Sequence, residues 1–185
     1  MQSVTNDTFG PLVAYLVPGA TVLWGLSPFS PTLQALFSAS SATAPTIGGF
    51  LYLTVAAIAA GMIVSAIRWA VIDTLHAWTG LPPPSLNFAR LGDNVEAFQL
   101  LIEIHYRHYQ CYANLEIATL VAYIGHRVAH GSFQPLGLID AGFVALEFVL
   151  FIAARDTLKK YYRRSQDLLG SKLRGSYRRP ARLRN

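Results

Sequence analysis

Charged residues are scarce in this chain and absent from one long part of it. Asp, Glu, Lys and Arg make up 14% of the 185 residues, whereas soluble domains contain about 25%. Between Asp7 and Arg68 there is no charged residue and no histidine. A soluble protein cannot easily keep so long an uncharged segment on its surface. The scarcity therefore argues against a soluble domain and indicates a protein of the lipid bilayer.

The sequence contains one cysteine and none of the common enzyme motifs. Cys111 is the single cysteine, so no disulfide can form within the chain. The sequence has no Gly-x-Ser-x-Gly, no Walker loop, no dinucleotide fingerprint and no Ser-His-Asp pattern. We therefore expect neither an enzyme nor a cofactor. A membrane-embedded enzyme that uses glutamate and histidine for acid–base chemistry is kept as the second alternative.

His105 and His108 suggest a metal site, because Glu103 and Glu116 belong to the same stretch. Di-metal sites in helical bundles use Glu-x-x-His from two helices, and that spacing does not occur here. The two histidines also point about 60° apart on a helix. We predict no metal and interpret both histidines as hydrogen-bonding residues at the membrane interface, with a pH-sensing role left open.

Four apolar segments are predicted to be transmembrane helices. The clearest covers residues 50–72, about 23 residues, which suffice for a hydrocarbon core of about 30 Å. The others cover residues 9–26, 115–124 and 136–154. The predicted fold class is an all-α integral membrane protein with four transmembrane helices.

The first two segments carry features that concern packing. Pro18-Gly19 lies in the middle of the first segment and predicts a kink, which lipid tolerates where a neighbour satisfies the freed carbonyl. In the second segment Ala57, Gly61 and Ser65 are spaced four apart, and such small-residue ridges let another helix approach closely. The sequence does not say whether the partner helix belongs to the same chain.

Residues 94–130 are predicted to form one long helix, since no Pro or Gly occurs before Gly125. Its first half is polar, with Glu103, Arg107 and Asn114 on one face, and its second half is apolar. We therefore expect the third transmembrane helix to extend into the cytoplasm as an amphipathic helix. The uncharged residues 27–49 are predicted to connect two spans outside the cytoplasm, with a re-entrant loop left open.

Basic residues concentrate at the C-terminal end. Residues 155–185 contain eleven Lys and Arg and two Asp, so the positive-inside rule places this end in the cytoplasm. With four spans the N-terminus is cytoplasmic too. The predicted organisation is a transmembrane bundle of residues 1–154 with a cytoplasmic connector at 73–110, then a basic helix extension and flexible tail. We expect the plasma membrane, of the bacterial inner-membrane kind, as the location.

Three charged residues inside the predicted spans are the main functional candidates: Arg68, Glu116 and Glu147. Each charge costs at least ~2.5 kcal/mol in lipid, so pairing is expected. Counted from the cytoplasmic ends of their helices, all three lie at comparable depth. We predict one buried polar cluster of these residues, with Tyr112 and His105 as further candidates to line a pore.

The function that these predictions favour is a homo-oligomeric channel or pore-forming effector gated from the cytoplasmic side, in which acids would select cations. The alternative is an anchor or sensor subunit that recruits a soluble protein partner. The basic end is predicted to contact anionic lipid or that partner, and nucleic acid is not expected because no recognised binding fold accompanies the tail. The residues assigned to this contact are Lys159, Lys160, Arg163 and Arg164.

Overall fold

The computed structural model describes residues 6–37, 47–92, 94–131 and 135–170, with the backbone alone for residues 6–12. Helices dominate the described residues, which contain no β-strand beyond one isolated bridge, so the all-α prediction is confirmed. The basic tail from residue 171 onward lies outside them, as does the middle of the predicted 27–49 connection. The helices are α1 (Asn6–Leu26), α2 (Pro31–Phe37), α3 (Ile47–Trp78), α4 (Val95–Leu101), α5 (Arg107–His130) and α6 (Leu138–Leu169).

One of these helices, α3, is long and apolar enough to cross a membrane, by length and composition. Its 32 residues span about 48 Å at 1.5 Å per residue. Many of its large apolar side chains, such as Ile47, Phe50 and Val55, are exposed. A shorter apolar helix covers Val13–Phe29. The other three predicted spans stay a prediction.

The long helix predicted over residues 94–130 is present. A π-helical turn, Ile102–Tyr106, joins α4 to α5 without a break in the helical backbone. The resulting rod is about 54 Å long. A π-turn inserts one extra residue into the helix and is found frequently at functional sites. Here it carries His105.

Close contacts between glycines and backbone atoms hold α1 against α3, and the two helices are antiparallel. A Cβ atom added to Gly19 would lie less than 3.0 Å from the carbonyl oxygen of Ala57, and one added to Gly61 would clash equally with that of Tyr15. Ala57 is buried and Ser65 is half-buried. The small-residue face of α3 therefore packs on a helix of the same chain.

A second close approach joins α1 to α5, which run in parallel. A Cβ atom added to Gly125 would clash with the carbonyl oxygen of Gly25, and one added to Gly25 would clash with Ala122. Helix α6 packs antiparallel along α5. Helix α1 thus holds α3 and α5 together, whereas α6 joins the bundle mainly through α5.

Pro18 removes one hydrogen bond from α1, and Asn114 replaces it. Proline has no amide hydrogen, so the carbonyl of Ala14, four residues earlier, loses its helical donor. Asn114 on α5 is fully buried, and its Nδ2 atom donates to the Ala14 oxygen over 3.1 Å. A neighbouring helix therefore satisfies the carbonyl that the proline frees, as a buried carbonyl requires.

We expect Asn114→Leu to lower the free energy of unfolding by about 1–3 kcal/mol, because the Ala14 carbonyl becomes buried without a donor. In a Pro18→Ala background the same change should cost less, since position 18 then supplies its own amide hydrogen. A double-mutant cycle of unfolding in detergent measures this coupling. An equal loss of unfolding free energy in both backgrounds would show that Asn114 does not compensate for the amide hydrogen that Pro18 lacks.

The connector between α3 and α4 is fastened to the end of α6. Leu86 and Gly170 form an antiparallel bridge, and Asn87 N–H donates to the Leu169 carbonyl over 2.8 Å. The Arg90 guanidinium donates to the Gly170 carbonyl at the same distance. We call the assembly of residues 73–110 with residues 155–170 the polar layer.

Candidate functional site

Arg68 is buried at the junction of α3 and α5, where it pairs with Asp73. Its Nη1 atom lies 2.8 Å from Oδ1 of Asp73, and the residue is 3% exposed. The Tyr109 hydroxyl donates to the same carboxylate oxygen. The Tyr109 ring centroid lies 5.2 Å from Cζ of Arg68. The buried cation is thus compensated by an anion and by an aromatic face.

The predicted cluster of Arg68 with the two glutamates differs from this arrangement. Tyr109 and Glu116 are seven residues apart on α5, which is about 10 Å along the helix axis. The end of α3 also reaches α6. There the ring of His76 contacts Phe151 at 5.1 Å between centroids.

The role of Asp73 was missed by the sequence analysis. It follows Arg68 by five residues, a spacing that does not normally bring helical side chains together. Only the long, flexible arginine side chain and the position of Tyr109 make the contact. No signal in the sequence identifies this pair.

We expect Arg68→Met to lower the free energy of unfolding by about 1–3 kcal/mol, because Asp73 is left partly buried without its cation. Adding Asp73→Asn should recover part of that loss, whereas adding Glu116→Gln should recover none. Unfolding in detergent of the single and double variants provides the comparison. Rescue by Glu116→Gln would instead support the cluster predicted from the sequence.

Glu116 and Glu147 lie close together where α5 packs on α6. Oε1 of Glu147 accepts a hydrogen bond of 2.6 Å from the Thr119 hydroxyl, and Thr119 follows Glu116 by three residues, on the same face of α5. Oε2 of Glu116 is buried without a hydrogen-bond partner. In the described part of the chain the ion pairs involve aspartates, and neither glutamate takes part in one. Two acids therefore share an apolar helix interface without a counter-ion.

Tyr112 and His105, the other predicted pore candidates, lie toward the polar layer. Tyr112 is half-buried against the hydrophobic core, and its ring centroid is 6.4 Å from that of His108. His105 faces the C-terminal half of α6, where its Nε2 atom lies 2.7 Å from Nη1 of Arg164. Tyr112 lies one helical turn before Glu116 on α5, whereas His105 lies within the polar layer.

The contact between His105 and Arg164 fixes the protonation of the imidazole. A guanidinium can only donate hydrogen bonds, so Nε2 of His105 must accept. Burial and the positive charges of Arg164, Lys160 and His108 lower the pKa of His105, while Asp156 opposes them. The neutral ring is therefore the form that this contact favours.

We expect the protein to lose stability as the pH falls through the range below about 6.5, the ordinary pKa of histidine. The unfolded chain binds a proton at His105 more tightly than the folded chain, so the contribution is complete above that pH and lost below it. His105→Gln keeps an acceptor that does not titrate and should flatten the pH dependence of unfolding. His130→Gln, at an exposed site at the end of α5, is the control; identical pH dependences for both variants would contradict the assignment.

A further polar group lies near the start of α6. Asp140 is buried and accepts hydrogen bonds from the Tyr123 hydroxyl over 2.5 Å and from Gly137 N–H over 2.6 Å. The guanidinium of Arg127 lies 3.5 Å away. These contacts fasten the start of α6 to the end of α5, so a structural role accounts for Asp140.

Among the described residues, no group of three or more His, Cys, Asp and Glu side chains is placed to hold a metal ion. The four predicted lipid- or partner-contacting residues, Lys159, Lys160, Arg163 and Arg164, are all exposed on α6. Searches against protein-family models, curated proteins and solved structures found no match to this chain.

Proposed function

We propose that the protein is a homo-oligomeric cation channel of the plasma membrane, gated from the polar layer. The observation that carries this proposal is the location of Glu116 and Glu147 at the contact of α5 with α6, without an ion-pair partner in the described part of the chain. Ionisable residues in transmembrane helices are costly, so they usually mark a pathway for ions or protons. Acidic residues along such a pathway favour cations.

The proposed membrane arrangement has four spans, with both termini in the cytoplasm. Helix α1, most of α3, the second half of α5 and the first half of α6 would cross the bilayer. Exposed apolar side chains on the outer faces of α3 and α6 support this arrangement, since such surfaces suit lipid or another copy of the chain. Examples are Met62 and Ile63 on α3 and Val144, Phe148 and Val149 on α6.

The order of the helices suggests why several copies are needed. Helix α1 packs against α3 and α5, and α6 lies along α5. The two glutamates therefore lie at the junction of α6 with the rest of the bundle. When copies assemble around their α6 helices, this junction would face a shared axis and the acids would line it.

Mass measurement in detergent and currents across planar bilayers test the proposal together. We expect an oligomer, and currents whose reversal potential in a KCl gradient shows selectivity for K⁺ over Cl⁻. A monomer in both detergent and nanodiscs, with no current from either side of the bilayer at neutral or acidic pH, would contradict the proposal.

A second candidate function, an anchor for a soluble protein, is favoured by a different observation. In the polar layer Leu100 and Ile104 are exposed, although this part of the long helix is not an apolar span. Trp78, at the end of α3, is 84% exposed. Exposed apolar residues next to polar surface are typical of protein interfaces. Replacing Leu100 and Ile104 with serine should then release a co-purifying soluble partner. The number of copies of this chain in the membrane assembly should not change.

A further inference from the structure

One exposed face of α6 changes from apolar to basic along its length. At about 100° per residue, five residues fall within an arc of about 80°. Those nearer the start of the helix, Phe148 and Ile152, are apolar and exposed. Those nearer its end are Arg155, which is half-buried, and Lys159 and Arg163, which are exposed.

The cations of α6 differ in whether they have partners within the chain. Arg155 donates to the hydroxyl and the carbonyl of Thr79. On the neighbouring face Lys160 pairs with Asp156 and Arg164 contacts His105. Within the part of the chain that the structure describes, Lys159 and Arg163 form no hydrogen bond or ion pair. These two cations are therefore available to an external anion.

The spacing along the helix matches the depth of a lipid headgroup layer. Lys159 follows Ile152 by seven residues, about 10 Å along the axis. Headgroups occupy roughly 5–8 Å beyond the hydrocarbon core on each side. Long basic side chains also bend toward the interface while their methylene stems cover apolar surface. If Ile152 contacts acyl chains, Lys159 and Arg163 reach the phosphates above them.

We propose that Lys159 and Arg163 form a binding surface for the phosphate headgroups of anionic phospholipids. The guanidinium of Arg163 can bind a phosphate through two parallel hydrogen bonds, and Lys159 adds a point charge. Continuity with the apolar face around Ile152 favours a lipid over a soluble anion, because one molecule satisfies both surfaces. The inference rests on the proposed membrane location of α6.

Native mass spectrometry of the purified chain in detergent tests this surface by titration with phosphatidylglycerol or phosphatidylcholine. The wild-type chain should bind phosphatidylglycerol about fivefold or more tightly than phosphatidylcholine. The double variant Lys159→Gln/Arg163→Gln should lose that preference. The matched control Lys160→Gln/Arg164→Gln removes the same charge from cations that already have partners, and it should retain most of the preference.

Four outcomes would overturn the inference: no preference in the wild-type chain, equal loss in the two double variants, full retention in Lys159→Gln/Arg163→Gln, or displacement of phosphatidylglycerol by inorganic phosphate at similar concentrations. Circular dichroism checks that each variant is folded. The variant Lys159→Arg/Arg163→Lys, which keeps both positive charges, should bind phosphatidylglycerol as the wild-type chain does. An absence of currents across planar bilayers would contradict the channel proposal without affecting the lipid-binding surface. The membrane location fails separately too, if alkaline carbonate without detergent releases the chain from membranes.

Discussion

Replacing Gly61 with alanine is expected to lower the free energy of unfolding by about 1–3 kcal/mol. Intrinsic helix propensity predicts the opposite sign, since alanine is favoured over glycine by about 1 kcal/mol within a helix. Packing decides, because the new Cβ atom would lie less than 3.0 Å from the carbonyl oxygen of Tyr15. A backbone oxygen cannot rotate away, so α1 and α3 must separate. In the proposed membrane arrangement, little else would drive these two helices together.

Gly142→Ala on α6 is the matched control, because nothing lies within 4 Å of a Cβ atom added there. Helix propensity alone then acts, and we expect a gain of up to about 1 kcal/mol. Unfolding of both variants in mixed detergent micelles measures whether each substitution raises or lowers the free energy of unfolding. If Gly61→Ala proves as stable as Gly142→Ala, the close packing of α1 on α3 is wrong.

The sequence was sufficient for the features that depend on neighbouring residues. The continuous helix of residues 95–130 follows from the absence of early Pro and Gly and from its helical periodicity. The small-residue face of α3 follows from the spacing of Ala57 and Gly61, which only a closely packed helix requires. Such signals are local, so one sequence is enough to interpret them.

Contacts between distant residues were not available from the sequence. The contact of Tyr109 on α5 with Asp73 on α3, beside Arg68, depends on how the two helices pack. The contact between His105 and Arg164 depends on the π-turn, which no residue pattern marks. Crossing angles and local helix defects follow from the packing of all side chains together.

Asn114 shows how a correct local rule led to an incomplete interpretation. Helical periodicity placed it on a polar face with Glu103 and Arg107, which suggests solvent. In the structure it is fully buried and bonded to the Ala14 carbonyl. The sequence already showed that Pro18 leaves a helix carbonyl without its usual hydrogen-bond donor. The amide that supplies this donor lies in the part of the long helix predicted to be polar, and nothing in the sequence marks it as buried.

Glu147→Gln is expected to reduce the selectivity of the proposed channel for K⁺ over Cl⁻ by about tenfold, equivalent to about 1.4 kcal/mol. Glutamine keeps the shape of the side chain and an acceptor for the Thr119 hydroxyl, so the helix contact should survive while the charge is lost. Reversal potentials in a KCl gradient measure the change. Glu103→Gln, in the polar layer, removes the same charge away from the junction of α5 and α6 and should have little effect.

The neighbouring acid provides a sharper test of the same site. Glu116 and Glu147 lie at the same contact of α5 with α6, beside Thr119, so we expect their effects on a passing cation not to be independent. Glu116→Gln alone should also reduce selectivity, and the double variant should lose less than the sum of the two single losses. Strict additivity would show that the acids act at separate places. Unchanged selectivity in both single variants would remove them from the ion pathway, and the pair would then be a structural feature of the α5–α6 interface.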